Sequence, residues 1–195
     1  MCSSERSTLV TDKEQLLGQR GAVIWLYGLS GAGKSTLASA LENALLSQGR
    51  LSLILDGDIL RTGLNSNLGF SMEDRFENIR RAAETARLLA STGIIVIAAL
   101  ITPTRELRDL AHGIVGEDRF LEVYLQCSYS CCSTRDVKGL YRKARTGEVQ
   151  RFTGNDSPFE APDGDTAMVL DTEHLDASTC LDKLLSATQA HSSIA

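Results

Sequence analysis

Five short apolar runs alternating with helical or loop-rich segments predict an α/β protein, with a mostly parallel sheet covered by helices on both faces in three layers. A glycine-rich loop follows the first run directly, and 195 residues with 43% hydrophobic content suffice for one good core. The runs are AVIWLY (22–27), LSLILD (51–56), IIVIAAL (94–100), FLEVYLQ (120–126) and the weaker AMVLD (167–171). The first is apolar throughout, as a parallel strand buried on both faces must be.

The intervening segments carry helical periodicity. KSTLASALENALLSQG (34–49) puts Leu37, Leu41, Ala44 and Leu45 on one face, with Gly49 as a natural stop. From Ser71 to Thr92, the residues Phe76, Ile79, Ala83, Ala86 and Ala90 recur at 3-4-3-4 spacing and predict a long amphipathic helix closed by Gly93. Residues 1–20 read as a polar arm, 21–190 as the folded domain and 191–195 as a frayed tail. No internal repeat or low-complexity tract interrupts this order.

GLSGAGKST (28–36) fits the pattern G-x-x-x-x-G-K-[ST] and sits between a predicted strand and a predicted helix, the context that pattern requires. Its glycines let backbone N–H groups turn toward a phosphate, and the helix N-terminus adds partial positive charge. The candidate nucleoside triphosphate site is therefore the whole loop, Gly28, Leu29, Ser30, Gly31, Ala32, Gly33, Lys34, Ser35 and Thr36. Lys34 is positioned to meet the terminal phosphates, and Ser35 is the candidate ligand of a Mg²⁺ ion that accompanies them. The fold class narrows to a three-layer P-loop NTPase-type fold.

Such a loop names a phosphoryl donor and leaves the acceptor open. In open α/β sheets ligands lie beyond the carboxyl ends of the strands. The second run is followed there by DGDILR, with Asp56, Asp58 and Arg61. A carboxylate at this point can take a proton from an attacking hydroxyl or hold the water shell of Mg²⁺, and an Asp in a D-G turn can equally be turn chemistry. Arg75 and Asn78 stand at i and i+3 beside the apolar stripe, either as a solvated face or, with Arg61, as an anion clamp. RDVKGLYRKARTGEVQR (135–151) holds Arg135, Lys138, Arg142, Lys143, Arg145 and Arg151 against Asp136 and Glu148. It reads as an exposed charged helix or as a basic lid over a transferring phosphoryl group.

Charge and cysteine usage exclude several classes. A net charge of −5 and a pI near 5.2 argue against a nucleic-acid or anionic-membrane surface, so neither nucleic acid nor membrane is an expected partner. No apolar stretch approaches a spanning length, and the first 20 residues lack the apolar core of a secretory signal. A cytoplasmic protein is expected. The odd set Cys2, Cys127, Cys131, Cys132 and Cys180 is not a disulfide framework, and CSYSCC (127–132) has neither histidine nor paired C-x-x-C. Packed or idle thiols are expected there.

Taken together, GLSGAGKST, DGDILRTGLN, LGFSMEDRFENIRR, RDVKGLYRKARTGEVQRFTGNDSPFEAP and the closing LDT resemble, in order over roughly residues 20–190, the adenylylsulfate kinase (APS kinase) family. The resemblance implies transfer of the γ-phosphoryl of MgATP to the 3′-hydroxyl of adenosine 5′-phosphosulfate, giving PAPS and ADP. It further implies that Asp56 is the base, that Arg61, Phe70, Arg75 and Asn78 hold the sulfonucleotide together with Asp58, Ile101 and Thr102, and that Lys138, Leu140 and Phe152 close over it. Arg135 joins the ATP side. Phe70 and Phe152 could supply aromatic platforms for an adenine from two sides.

The chain departs from the family pattern in places. Where the family usually reads I-S-P, with a serine that has been assigned as phosphorylated in some members, this chain has Ile101, Thr102 and Pro103, and Thr104 replaces the tyrosine that often follows. Thr102 therefore counts among the catalytic candidates, with direct transfer rather than a Thr102 phosphoenzyme as the expectation. Asn67 replaces the usual aspartate. A different small-molecule P-loop kinase, or a non-catalytic sulfonucleotide-sensing module, would share the sheet, but the first lacks the combined blocks and the second is expected to lose the intact loop. The sequence does not fix oligomeric state and leaves a homodimer open.

Overall fold

A computed structural model describes residues 11–148, 152–164 and 167–194. Five strands, β1 (Ala22–Tyr27), β2 (Ser52–Asp56), β3 (Ile95–Ala99), β4 (Phe120–Gln126) and β5 (Met168–Asp171), pair in the order β2-β3-β1-β4-β5, all parallel. Eight α-helices accompany them among the described residues: α1 (Asp12–Leu17), α2 (Lys34–Ser47), α3 (Gly57–Thr62), α4 (Met72–Ala90), α5 (Arg105–Val115), α6 (Tyr129–Arg135), α7 (Leu140–Arg145) and α8 (Ala177–His191). The predicted runs and the observed strands agree to within a residue or so at each end.

The sheet divides the interior into two cores because side chains alternate along each strand. In β1, Ala22, Ile24 and Leu26 enter a core shared with Leu37, Leu41 and Leu45 of α2 and Leu184 of α8. Val23, Trp25 and Tyr27 enter the opposite core, with Ile79, Ala83 and Ala86 of α4 and Leu107 of α5. All six β1 side chains are buried, which explains why that run is apolar without alternation.

The predicted long helix is α4, capped by the Ser71 side chain on the Asp74 N–H. Its inward face is shifted from the predicted stripe. Phe76 is 39% exposed, whereas Arg75, Asn78 and Ala82 are buried with Ile79, Ala83, Ala86 and Ala90. At the start of α4 the inner face is polar because it borders a cavity rather than the core.

Two end segments also differ from expectation. Residues 12–17, read as part of a polar arm, form α1 with a Thr11–Glu14 capping box, and Glu14 is 1% exposed. Its carboxylate accepts from the Gly21 N–H at 3.0 Å and from Arg119 Nη1 at 2.6 Å, and that guanidinium also donates to the Gly21 carbonyl at 2.7 Å. A charge pair thus clips α1 beneath the sheet. At the other end the expected frayed tail begins inside α8, and Ser192 is fully buried, accepting from Arg50 through its carbonyl and hydroxyl oxygens. Polar composition suggested loose ends because the charged partners, Arg119 for Glu14 and Arg50 for Ser192, lie 105 and 142 residues away in sequence. Among the described residues no helix is long and apolar enough to cross a membrane.

Candidate active site

The glycine loop leaves β1 at Gly28 and enters α2 at Gly33, whose φ of 97° requires glycine. No side chain caps α2, so its first N–H groups face the space above the loop. Gly28 is fixed sterically as well, since a Cβ there would meet the Leu125 carbonyl oxygen at 2.7 Å. Lys34 folds back over the loop, its Nζ donating to the Gly28 and Leu29 carbonyls at 2.8 Å each. Burial, with Lys138 as a second cause, lowers its pKa to about 8, and anionic phosphates in the loop would pull it the other way.

Asp56 ends β2 and caps α3. Its Oδ1 accepts from the Asp58 N–H at 2.9 Å, and its Oδ2 accepts from Ser35 Oγ at 2.7 Å. The turn-chemistry reading of this aspartate is therefore half of the account, because its second oxygen reaches the phosphate loop. Asp58 points elsewhere and forms an ion pair with Lys138.

A cavity of about 620 Å³ opens over the carboxyl ends of β1, β2 and β3. It is lined by Ser30 to Thr36 on one side and by Asp56, Asp58, Arg61, Phe70, Arg75 and Asn78 on another. Ile101, Thr102, Arg135, Lys138, Leu140 and Phe152 complete the expected residues. Of the predicted site, Gly28 and Leu29 do not line it. They shape the loop from below, Leu29 lying in the core at 8% exposure.

The walls are held by contacts the sequence alone did not reveal. Arg61 Nη1 donates to the Leu68 and Gly69 carbonyls at 3.1 and 2.8 Å, and its guanidinium carbon lies 4.4 Å from the Phe70 ring centre. One face of Phe70 is thus covered by a cation. Arg75 is 8% exposed, which excludes the solvated-face reading, and it donates to Thr153 Oγ1 at 2.9 Å and to the Phe70 carbonyl at 3.2 Å. Asn78 accepts from the fully buried Asn65 at 3.0 Å.

The basic island divides. Arg142, Lys143 and Arg145 of α7 face solvent, as an exposed charged helix would, while Arg135 and Lys138 line the cavity. Arg151 lies outside the described residues. Tyr141, within K-G-L-Y, is buried and donates to the Ser30 carbonyl at 2.7 Å, and its ring and that of Phe152 form a T-shaped pair with centres 4.8 Å apart. Arg135 donates to the Thr172 carbonyl at 2.6 Å and to Gly31 at 3.4 Å, and Thr172 Oγ1 donates to Ala32 at 2.9 Å. Tyr141, Thr153 and Thr172 were therefore missed as site residues. The quoted blocks contained all three, but only their approach to the loop or to Arg75 reveals their contacts.

Thr102 carries a strained backbone, with φ of 41° in a β-branched residue, and Asp136, which also lines the cavity, has φ of 27°. Thr102 is 1% exposed and its Oγ1 accepts from Trp25 Nε1 at 3.0 Å. Trp25, read only as an apolar strand residue, fixes the hydroxyl from the central strand.

A parallel sheet in this order, a glycine loop feeding an uncapped helix, and a lysine beside a serine–aspartate pair define a P-loop nucleotide-binding protein of the phosphotransferase kind. The comparisons with known proteins specify which. A family model described as adenylylsulphate kinase matches residues 20–171, and the chain belongs to that family. The adenylyl-sulfate kinase of Phocaeicola vulgatus is 56% identical over 174 residues, covering 89% of this chain and 85% of its own length. That of Clostridium kluyveri is 51% identical, covering 89% and 86%. Among solved structures, the APS kinase of Mycobacterium tuberculosis in complex with AMPPNP and APS aligns with a TM-score of 0.79 and 43% identity over 86% of this chain and 98% of its own. A gluconokinase from Sinorhizobium meliloti, at 18% identity and a TM-score of 0.59 over 88% of this chain and 93% of its own, shares the fold alone.

Proposed function

We infer that the chain is an ATP-dependent adenylylsulfate kinase, transferring the γ-phosphoryl of ATP to the 3′-hydroxyl of adenosine 5′-phosphosulfate to give PAPS and ADP. The observation that carries this reading is one cavity with two unlike walls. The uncapped α2 terminus with Lys34 suits a triphosphate, and the Arg61, Phe70, Arg75 and Asn78 wall, with Asp56 between, suits a second, anionic nucleotide. The name of the relatives and the two ligands of the M. tuberculosis protein support the same assignment.

In this reading Lys34 leaves the loop carbonyls for the β and γ phosphates and neutralises charge as the phosphoryl group moves. Asp56 accepts the ribose proton, and its bonds from Ser35 and the α3 terminus keep its carboxylate oriented toward the loop. Arg61 and Arg75 hold the phosphosulfate, with Phe70 and Phe152 flanking the adenine. Arg135 borders the donor, while Lys138 and Leu140 close the lid over the transfer and exclude water. Ser35 Oγ, a hard oxygen donor 2.7 Å from a carboxylate, fits Mg²⁺. Ser35 would hold the ion, which would supply positive charge against the phosphates.

A cytoplasmic site of action fits the four free cysteines among the described residues. A homodimer would cover the exposed Ile59, Leu64, Met72 and Phe76 on α3, the turn after it and the start of α4. The test of function is a coupled ADP-release assay with APS, AMP and adenosine as acceptors, and PAPS as the identified product. Release should depend on APS. Equal rates with AMP, or APS-independent hydrolysis alone, would overturn the assignment.

A further inference from the structure

CSYSCC gained no role in the phosphoryl-transfer reading, and its spacing alone argues against metal. The tertiary structure adds the missing donor. Cys127 leaves β4, Cys131 lies in α6, and Glu173 arrives from the turn after β5, 42 residues later in the chain. Their two Sγ atoms and a Glu173 carboxylate oxygen lie within 4.8 Å of one another. We propose that Cys127, Cys131 and Glu173 form a binding site for a thiophilic divalent cation of the zinc type, with solvent in the fourth position.

The chemistry of the donors fits that cation. A tetrahedral ion with Zn–S of about 2.3 Å and Zn–O of about 2.0–2.2 Å needs donors roughly 3.5–3.8 Å apart. Closing the difference would fall to half-buried Cys131, since Cys127 is buried and Glu173 is held by Ser128. Glu173 is already oriented, its oxygens accepting from the Ser128 N–H at 2.7 Å and the Ser128 hydroxyl at 3.1 Å, and each retains a second lone pair. Two thiolates, a carboxylate and a dication leave one negative charge. Arg135, whose Nη1 lies 3.5 Å from Cys127 Sγ, supplies the opposite charge. Soft sulfur donors select against Mg²⁺, so this site does not compete with the metal of the nucleotide. Cys132 is fully buried in the apolar core that also holds Tyr141 and Phe152, and it is not part of the set.

A cation here would join α6 to the 172–174 turn. Both elements hold Arg135 against the phosphate loop. The site itself does not depend on the kinase assignment and is tested apart from it.

The experiment is titration of the reduced full chain with Cd²⁺, following thiolate-to-metal charge-transfer absorbance and stoichiometry by equilibrium dialysis. One equivalent should bind with that band. Cys131→Ser should weaken binding at least ~10-fold and diminish the band, Glu173→Gln should weaken it ~10-fold or more while keeping the band, and Cys132→Ser should change neither. Cys127→Ser changes a buried position, so the two exposed-side variants decide, with circular dichroism confirming their folding. Absence of Cd²⁺ binding, wild-type affinity in Cys131→Ser, or loss of the band in Cys132→Ser would overturn the proposal.

Discussion

Thr102→Ala separates direct transfer from a phosphoenzyme relay. The Thr102 hydroxyl is 1% exposed and accepts from Trp25 Nε1 at 3.0 Å, so its removal leaves an indole N–H buried without its partner. Stranding a buried donor costs about 1–3 kcal/mol. For a chain of this size that lowers Tm by about 2 to 12 °C, at roughly 2 to 4 °C per kcal/mol. Thr102→Ser keeps the bond and should recover most of the loss. Activity should follow a different rule. In direct transfer the hydroxyl only positions the loop at the β3 end, so folded Thr102→Ala should retain turnover within roughly tenfold, about 1.4 kcal/mol of barrier. The assays are urea or thermal unfolding beside kcat for ADP release, with chiral γ-phosphate to follow stereochemistry. Inversion at phosphorus is expected. A folded Thr102→Ala protein without activity, or net retention with label trapped on Thr102 when APS is withheld, would refute the reasoning.

Three further outcomes follow from the geometry. Asp56→Asn should lower kcat by about 10² to 10⁴-fold through loss of the base, whereas Asp58→Asn breaks an exposed ion pair worth about 0 to 1 kcal/mol and should lower kcat less than tenfold; the reverse order would exchange their roles. Arg75→Ala should reduce kcat/KM for APS by about 2 to 4 kcal/mol with little change in KM for ATP, and equal losses for both substrates would make Arg75 only a support for Thr153 and the Phe70 carbonyl. Burial opposes the Glu14 charge, but Arg119 and the Thr11 and Gly21 amides outweigh it and hold the pKa at about 2 against 4.5. Because the folded value is the lower one, the stabilisation is present above pH 4.5 and is lost as pH falls toward 2. Urea unfolding of Glu14→Gln should therefore show about 3 kcal/mol less stability at pH 7 and a flatter acid limb, and a limb as steep as wild type would contradict this.

Local chemistry determined the strands, the phosphate loop and α2, because a buried parallel strand, a glycine turn and a helical stripe each declare themselves within about 15 residues. Asp56 was legible as a strand-end carboxylate, and the ordered blocks singled out the acceptor wall. Only tertiary structure decided the inward direction of Arg75 and Asn78 in place of Phe76, since a helix carries polar groups on its inner face where that face meets a cavity. It also decided that Arg135 and Lys138 line the cavity while Arg142, Lys143 and Arg145 face solvent. The partners Trp25–Thr102, Tyr141–Ser30, Glu14–Arg119 and the Cys127, Cys131 and Glu173 group are separated by 42 to 111 residues where they cross between elements. No local pattern encodes such contacts, because the parallel crossovers that bring them together are properties of the whole sheet.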